Sequence, residues 1–302
     1  MTDRNNEQSP GTLQLKRRHF QHWSPFLGAG AAGRVVLSAP CVSLCWHNGA
    51  IFASESECLP SSKTRILCWK PGNPETSVIQ VPGIHELGSC ARLSISAVGE
   101  MSVGDFRKRR LLRCENGSAH LVAENIDAEG LFYSPKGVLY VVSQGGHAVQ
   151  KLVGSTLQTV IDSESLSEDM QFSTRSIFVT KEDVIYLLDN KNQNLRILRI
   201  NTAEELEVVA LGPKSTSIRS DLFVAEGGTI YFADIPQGKV WAFHPERAAF
   251  MEVLQCPNGL LPRALLVHDR SLYVSMLTPK VDGVPRSGKV YQYLLPPELQ
   301  LE

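Results

Sequence analysis

Five charged residues recur at one kind of position, the start of a short apolar segment. They are Arg92, Glu129, Arg175, Arg219 and Arg263. An arginine keeps its charge at neutral pH, and two like unit charges about 6 Å apart repel each other by about 3 kcal/mol at an effective dielectric constant of about 20. If these segments converge, the arginines would repel a divalent cation, which needs several oxygen ligands. They would instead favour a small anionic or zwitterionic group, or a side chain of a protein partner.

A second basic cluster is continuous in sequence, at positions 107–110. Clustered basic side chains can contact phosphate groups, so RNA binding is one interpretation. The other is a solvated turn in which one arginine pairs with Asp105 or Glu115. We favour the turn because Phe106 is the one aromatic residue nearby, whereas single-stranded bases need stacking platforms. The cluster consists of Arg107, Lys108, Arg109 and Arg110.

Other motifs that carry chemistry are missing or lack their structural context. Residues 28–33 fit GxGxxG, but no strand precedes them and no helix follows, as a dinucleotide site requires. The eight histidines do not have the spacing of zinc ligands, and no GxSxG nucleophile motif occurs. The sequence therefore predicts no catalytic residue.

The charged positions belong to a repeat. Six segments share an apolar strand, a short turn and a second apolar strand, and their second strands align on anchor residues that are about 44 residues apart on average. The segments span 42–54, 92–105, 130–143, 176–189, 221–234 and 264–276, and the anchors are Phe52, Ser102, Tyr140, Tyr186, Tyr231 and Tyr273.

Each repeat continues with a third apolar segment, and five of the six have a fourth. Short strands rich in Val, Ile, Leu and Tyr between turn residues are typical of antiparallel sheets, and six such units are typical of a ring of blades. We predict an all-β, six-bladed β-propeller. The apolar segment 34–38 belongs to no repeat, so we expect it to supply the missing strand of the last blade. The predicted domains are a flexible tail (1–27), the propeller (28–297) and a C-terminal tail (298–302).

Within a hairpin, the start of the first strand lies beside the end of the second, which predicts ion pairs inside three blades. By the same geometry Glu129 faces Ser143 and Arg263 faces Met276, so neither has a local partner of opposite charge. Because the third and sixth blades of a six-membered ring lie opposite each other, we expect Glu129 and Arg263 to flank the channel from opposite sides. The predicted ion pairs are Arg92 with Asp105, Arg175 with Asp189, and Arg219 with Asp234.

Composition indicates a soluble globular protein. The 302 residues are 43% hydrophobic and 20% charged, with a net charge of −1. The seven cysteines are odd in number and form no CxxC pair, which favours reduced thiols. The polar N-terminus lacks the apolar stretch of a signal peptide, and no stretch is apolar enough to span a membrane. We expect a cytoplasmic monomer that does not bind a membrane.

The repeat carries a family resemblance. The segment GVLYVVSQGGHAVQKL at 137–152, with its counterparts in the other units, resembles NHL-repeat propellers and the gluconolactonase (senescence-marker-type) propellers. The resemblance covers about 41–293 and implies a six-bladed propeller. It is barely specific for function, because propellers include hydrolases, binding platforms and scaffolds.

The gluconolactonase type also implies a divalent cation at the channel mouth, held by a Glu in E-G/S-P-x-W, an Asn in N-G-L and an Asp in P-D-G. Glu129 with its following glycine and Asn258 in Asn-Gly-Leu resemble the first two motifs. The first lacks its Pro and Trp, and Arg263 stands where the third needs Asp.

The sequence thus favours a non-catalytic binding platform without a cofactor, whose partner is a protein or a small anionic ligand. One alternative is a lactone or ester hydrolase that binds calcium or zinc through Glu129 and Asn258. A second is RNA binding through positions 107–110.

Overall fold

The computed structural model describes residues 33–55, 65–73, 75–79, 87, 92–115, 118–215, 221–279, 287–296 and 299. Within these ranges, six antiparallel sheets of four strands are formed. The first strands of successive sheets contact one another, and the first strand of the sixth sheet contacts that of the first. The sheets are therefore the blades of a closed six-bladed β-propeller, which confirms the predicted fold.

The strands follow the repeat closely. A single strand, β1 (Arg34–Leu37), precedes the first blade. Blade 1 contains β2 (Cys41–His47), β3 (Ala50–Glu55), β4 (Arg65–Trp69) and β5 (Thr76–Val78). Blade 2 contains β6 (Arg92–Ile95), β7 (Met101–Asp105), β8 (Arg110–Glu115) and β9 (Ser118–Glu124). Blade 3 contains β10 (Gly130–Tyr133), β11 (Leu139–Ser143), β12 (Ala148–Val153) and β13 (Thr156–Asp162).

The second half of the ring repeats this arrangement. Blade 4 contains β14 (Thr174–Val179), β15 (Ile185–Lys191), β16 (Asn194–Ile200) and β17 (Leu206–Lys214). Blade 5 contains β18 (Leu222–Val224), β19 (Ile230–Asp234), β20 (Lys239–His244) and β21 (Ala249–Gln255). Blade 6 contains β22 (Leu261–His268), β23 (Ser271–Leu277) and β24 (Gly288–Leu294). Short 3-10 turns occur at Gln144–Gly146, Ser163–Ser165, Glu168–Met170 and Pro257–Gly259.

The ring closes through the N-terminal strand. In blade 6 the strand order is β1-β24-β23-β22, and β1 runs antiparallel to β24 with Val35 opposite Tyr291 and Leu37 opposite Val290. The predicted closure by 34–38 is confirmed, although the strand ends at Leu37. Because β1 covers the outer edge of β24, both ends of the described propeller are held in one sheet.

The apolar core lies between neighbouring blades. Every residue of the second strands β7, β11 and β19 is buried, whereas the outer strand β5 is exposed throughout. A central strand is covered on both faces by the adjacent blades, so apolar residues follow one another in β11 and β19 and do not alternate with polar ones. This explains why the second strand is the clearest part of the repeat.

The hairpin registers place the six anchors at equivalent positions. In each blade the anchor on the second strand pairs with one residue on the first strand, which confirms the alignment made from the sequence. The pairs are Cys45 with Phe52, Ser94 with Ser102, Phe132 with Tyr140, Phe178 with Tyr186, Phe223 with Tyr231, and Leu266 with Tyr273.

The ion pairs within the blades are not those predicted. In three blades an acidic residue at or near the end of the second strand pairs with a basic residue near the start of the third strand, because antiparallel pairing places these strand ends side by side. Asp189 Oδ2 accepts a hydrogen bond from Arg196 Nε at 2.9 Å. The corresponding pairs are Glu55 with Arg65, Asp105 with Arg110, and Asp189 with Arg196. In blade 5 the buried Asp234 instead accepts a hydrogen bond from Ser215 Oγ at 2.9 Å, and Lys239 Nζ lies 2.7 Å from Glu252 Oε2.

The predicted pairing of Arg92 with Asp105 and of Arg175 with Asp189 is therefore wrong. Arg219 lies outside the described residues, so its pairing with Asp234 remains a prediction.

The predicted N-terminal tail, 1–27, also lies outside the described residues. Of the predicted C-terminal tail only Leu299 is described: it is buried, and its carbonyl oxygen accepts a hydrogen bond from Tyr231 Oη at 2.7 Å. In the part of the chain that the structure describes, no helix has the length and apolar character needed to cross a membrane.

Closure by β1 can be tested with Leu37→Ala. Leu37 is the buried residue of β1 and packs against Ala39 and Cys41 in the core between blades 6 and 1, so its truncation should lower the free energy of unfolding by about 2–5 kcal/mol. Val35→Ala, on the exposed side of the same strand, should stay within about 0.5 kcal/mol of wild type. Urea unfolding measures both, and equal stability of the two variants would contradict closure through β1.

The ion pair inside blade 4 can be tested with Arg196→Met. Both side chains are almost completely buried, and removal of the arginine leaves the Asp189 charge without compensation, at a cost of about 3–5 kcal/mol. Arg199 lies on the same strand but forms an exposed pair with Glu207, so Arg199→Met should cost about 1 kcal/mol or less. A loss for Arg196→Met no greater than that for Arg199→Met in urea unfolding would show that the buried pair is not formed.

Candidate functional site

The first strands of the six blades surround a central channel of about 300 Å³. Its wall includes backbone and side chains of every blade, among them Arg92, Arg175 and Asp221. Residues just before or near the start of these strands surround one mouth of the channel. We call this ring of residues the collar. The described collar residues are Val42, Arg92, Glu129, Arg175, Asp221 and Arg263.

Glu129 is ion-paired across a blade boundary. Arg175 Nε of blade 4 lies 2.5 Å from Glu129 Oε2, which precedes the first strand of blade 3. The carboxylate is almost completely buried, and about a quarter of the arginine side chain is exposed. The expectation that Glu129 lacks a partner is therefore wrong, because the prediction considered only partners within the same blade.

Arg92 spans three blades. From blade 2, its Nε donates to the Glu129 carbonyl oxygen at 2.9 Å and its Nη1 donates to the Val42 carbonyl oxygen at 3.1 Å. These acceptors belong to blades 3 and 1, so the buried guanidinium holds three first strands together. Charge-assisted hydrogen bonds of this kind are stronger than neutral ones.

Arg92 is also one residue out of step with the other collar positions. It lies two residues before Ser94, the partner of the blade 2 anchor, whereas Glu129 and Arg175 lie three residues before Phe132 and Phe178. The sequence comparison had placed all of them at one level. In the structure, Arg92 lies deeper in the channel by one strand residue.

The residue of blade 5 at the level of Arg92 is Asp221, which sequence reasoning missed. Asp221 lies two residues before Phe223, the partner of the blade 5 anchor, and its Oδ2 accepts a hydrogen bond from the Leu265 amide at 3.0 Å. Burial raises the pKa of the Asp221 carboxyl, and the charges of Arg92 and Arg263 oppose the rise. Because blades 2 and 5 face each other in a six-membered ring, Arg92 and Asp221 lie on opposite walls.

Arg263, the predicted counterpart of Glu129, lies on β22 and is half-buried. Its positive charge opposes the rise in the pKa of Asp221, which lies in the neighbouring blade. Blades 3 and 6 lie opposite each other in the ring, so Glu129 and Arg263 are on opposite sides of the mouth, and Arg92 and Asp221 are on opposite sides one residue deeper. Arg219 lies outside the described residues.

The residues present do not fit a divalent cation. Glu129 is held by the Arg175 guanidinium, and Asn258 is an exposed residue of the Pro257–Gly259 turn. Among the described residues, no group of three or more His, Cys, Asp and Glu side chains could hold a metal ion. A hard cation needs several oxygen ligands, but both carboxylates of the collar have arginines near them: Arg175 beside Glu129, and Arg92 and Arg263 acting on Asp221.

The basic turn 107–110 lies on the same face as the collar. The ring of Phe106, which precedes it, lies 5.9 Å from the Arg175 guanidinium carbon. Arg109 Nε donates to Asp127 at 2.7 Å and Arg110 Nη2 donates to Asp105 at 3.1 Å. Arg109 and Arg110 are thus paired with carboxylates, and the side chains of Arg107, Lys108 and Arg109 are exposed to solvent.

Cys45 lines the channel, and its thiol is a hydrogen-bond donor. Its Sγ donates to the Leu93 carbonyl oxygen at 3.1 Å. Burial raises the pKa of the thiol to about 12, with a further contribution from Asp221. The thiol therefore stays protonated at neutral pH, and the reactive species of cysteine is the thiolate.

Comparisons of sequence find no relative: no protein-family model matches the chain, and no curated protein matches it. Comparisons of structure find other propellers. A luciferin-regenerating enzyme aligns with a TM-score of 0.61 at 9% identity, covering 86% of this chain and 92% of that chain. Virginiamycin B lyase from Staphylococcus aureus aligns with a TM-score of 0.55 at 11% identity, over 86% of this chain and 85% of that chain.

A catalytically inactive variant of the same lyase, with quinupristin, aligns with a TM-score of 0.57 at 12% identity. It covers 85% of this chain and 96% of that chain. At these identities the likeness shows the fold alone. The chain therefore has the six-bladed propeller fold that the resemblance to the gluconolactonase-type propellers implies.

Proposed function

We propose that this propeller is a non-catalytic binding platform that receives its ligand or partner at the collar and in the channel behind it. The observation that supports the proposal is that charged side chains of the collar are already held by other groups of the protein. Glu129 is neutralised by Arg175, and Arg92 is held by two carbonyl oxygens. These groups form a fixed charged surface on a rigid scaffold, which suits recognition.

The same contacts count against a hydrolase of the gluconolactonase type. Such an enzyme needs Glu129 as a metal ligand, but an arginine 2.5 Å away competes for that carboxylate. Asn258, the other retained residue of the family pattern, lies exposed in its turn. The similar structures include enzymes, but the fold carries unrelated functions and does not transfer theirs.

RNA binding through the turn 107–110 is less well supported than binding at the collar. Arg109 and Arg110 are engaged by Asp127 and Asp105, which lowers the positive charge available to phosphates. Phe106 is the one aromatic residue beside the turn, and recognition of single-stranded bases uses several stacking rings.

The proposal can be tested by thermal unfolding with calcium, zinc or manganese at millimolar concentration, together with an assay of lactone hydrolysis. A true metal site stabilises the folded protein by RT ln(1 + [L]/Kd), about 2.7 kcal/mol at a hundred times Kd. We expect no rise in Tm and no hydrolysis. Among the described residues that match the gluconolactonase pattern, Glu129 is the one carboxylate, and Arg175 already pairs with it.

Glu129→Gln is the matched variant for this experiment. A rise in Tm with metal that is present in wild type and lost in Glu129→Gln would contradict the proposal. Hydrolysis of a lactone that depends on the same residue would contradict it as well.

A further inference from the structure

One level of the channel has an aromatic wall. The first-strand residues that pair with the six anchors form a layer, here called the aromatic layer, and all six line the channel. Three of them are half-buried phenylalanines on consecutive blades 3, 4 and 5, with ring centroids 4.5 Å apart between Phe132 and Phe178 and 5.1 Å apart between Phe178 and Phe223. The layer consists of Cys45, Ser94, Phe132, Phe178, Phe223 and Leu266.

Small residues face two of these phenylalanines. In a six-membered ring blade 1 is opposite blade 4 and blade 2 is opposite blade 5, so Cys45 faces Phe178 and Ser94 faces Phe223. Large side chains on one wall and small ones on the other leave a slot beside the phenylalanine rings. A flat aromatic group fits such a slot by stacking edge-to-face or offset against the rings.

The next level toward the mouth of the channel contains two side chains of opposite charge. Two residues before the aromatic layer, each first strand contributes one residue to a second layer, here called the charged layer. Arg92 and Asp221 lie on opposite walls of this layer and make no direct ion pair with each other, and their neighbours have small side chains. The layer consists of Ser43, Arg92, Gly130, Ser176, Asp221 and Ala264.

Both charged side chains retain hydrogen-bonding capacity. Arg92 uses two of its five N–H donors on backbone carbonyl oxygens, and Asp221 Oδ2 accepts from the Leu265 amide. Between them on blade 4, Ser176 is 2% exposed and its Oγ makes no hydrogen bond with the described residues. Such a buried hydroxyl is costly unless a polar group satisfies it.

We infer that the channel binds a small zwitterion that carries an aromatic ring, the chemistry of a free aromatic α-amino acid. The ligand carboxylate lies against Arg92, its ammonium lies against Asp221 within reach of Ser176, and its ring lies in the slot beside Phe178. This inference rests on the proposed binding function and names the ligand class.

The spacing of the layers supports this class. The charged layer and the aromatic layer are two strand residues apart, which corresponds to about 7 Å. This distance is similar to that between the charged groups and the ring of an aromatic amino acid. The channel volume of about 300 Å³ lies at the lower limit of small-molecule sites. A zwitterion offers a group of opposite charge to each of Arg92 and Asp221.

The inference can be tested by isothermal titration calorimetry with L-phenylalanine and three analogues. 2-Phenylethylamine lacks the carboxylate, 3-phenylpropionate lacks the ammonium and L-alanine lacks the ring. We expect L-phenylalanine to bind and each analogue to bind about tenfold more weakly or not at all, because each loses a charge-assisted hydrogen bond or the ring contact. Absence of binding at millimolar L-phenylalanine, or equal affinity for the analogues, would overturn the inference.

Two variants with matched controls locate the site. Asp221→Asn should weaken binding of L-phenylalanine about tenfold and Phe178→Leu about fivefold. Asp162→Asn and Phe250→Leu, on the outer strands β13 and β21, should bind as wild type does. Circular dichroism and thermal unfolding check that each variant is folded. Equal losses in the channel variants and in their controls would overturn the inference.

The failure of this inference is distinct from that of the proposed function. Stabilisation by a metal through Glu129 overturns the platform and is measured without any amino acid. Failure to bind L-phenylalanine, with no effect of metal, overturns only the ligand class.

Discussion

The neutralisation of buried collar charges across blade boundaries is the constraint on which the channel depends. A buried carboxylate beside a low-dielectric core is tolerated when a cation and hydrogen bonds compensate it. Arg175 supplies the cation to Glu129, and Arg92 joins the carbonyl groups of blades 1 and 3. Each of these contacts forms only when the blades are docked in a ring. The polar contacts at the collar therefore form only in the closed ring, which apolar packing between the blades stabilises.

Closure also decides which charges face each other in the channel. Pairing across boundaries commits Glu129 to Arg175, and it leaves Arg92 and Asp221 on opposite walls one level deeper. Small residues such as Gly130 separate these two charges around the ring, and a Cβ at Gly130 would lie 3.1 Å from the Arg175 carbonyl oxygen. The absence of a side chain at this position thus serves close strand packing, and it keeps the charged layer open.

The fold could be predicted from the sequence because its signals are local. Most of the second strands are runs of apolar residues bounded by turn residues. The segment around Val35 is also apolar and belongs to no repeat, which indicated the closing strand. Two of the ion pairs inside the blades could also have been found, since Arg65 and Arg110 each begin a third strand after an acidic residue that ends the second. The contact between Glu129 and Arg175 could not, because it depends on how adjacent blades are rotated against each other. Asp221 was missed because the charged positions were counted back from the end of each first strand's apolar run and not from the anchors.

A double-mutant cycle on Glu129→Gln and Arg175→Met, measured as the free energy of unfolding in urea, tests the central claim most directly. Residues in contact couple by about 0.5–3 kcal/mol, and we expect a coupling near the upper end because the Glu129 carboxylate is buried. A second cycle pairs Arg175→Met with Asp189→Asn, the partner that hairpin geometry alone suggests. The account predicts the larger coupling for Glu129. Additive effects for Arg175 and Glu129, or a larger coupling to Asp189, would contradict it.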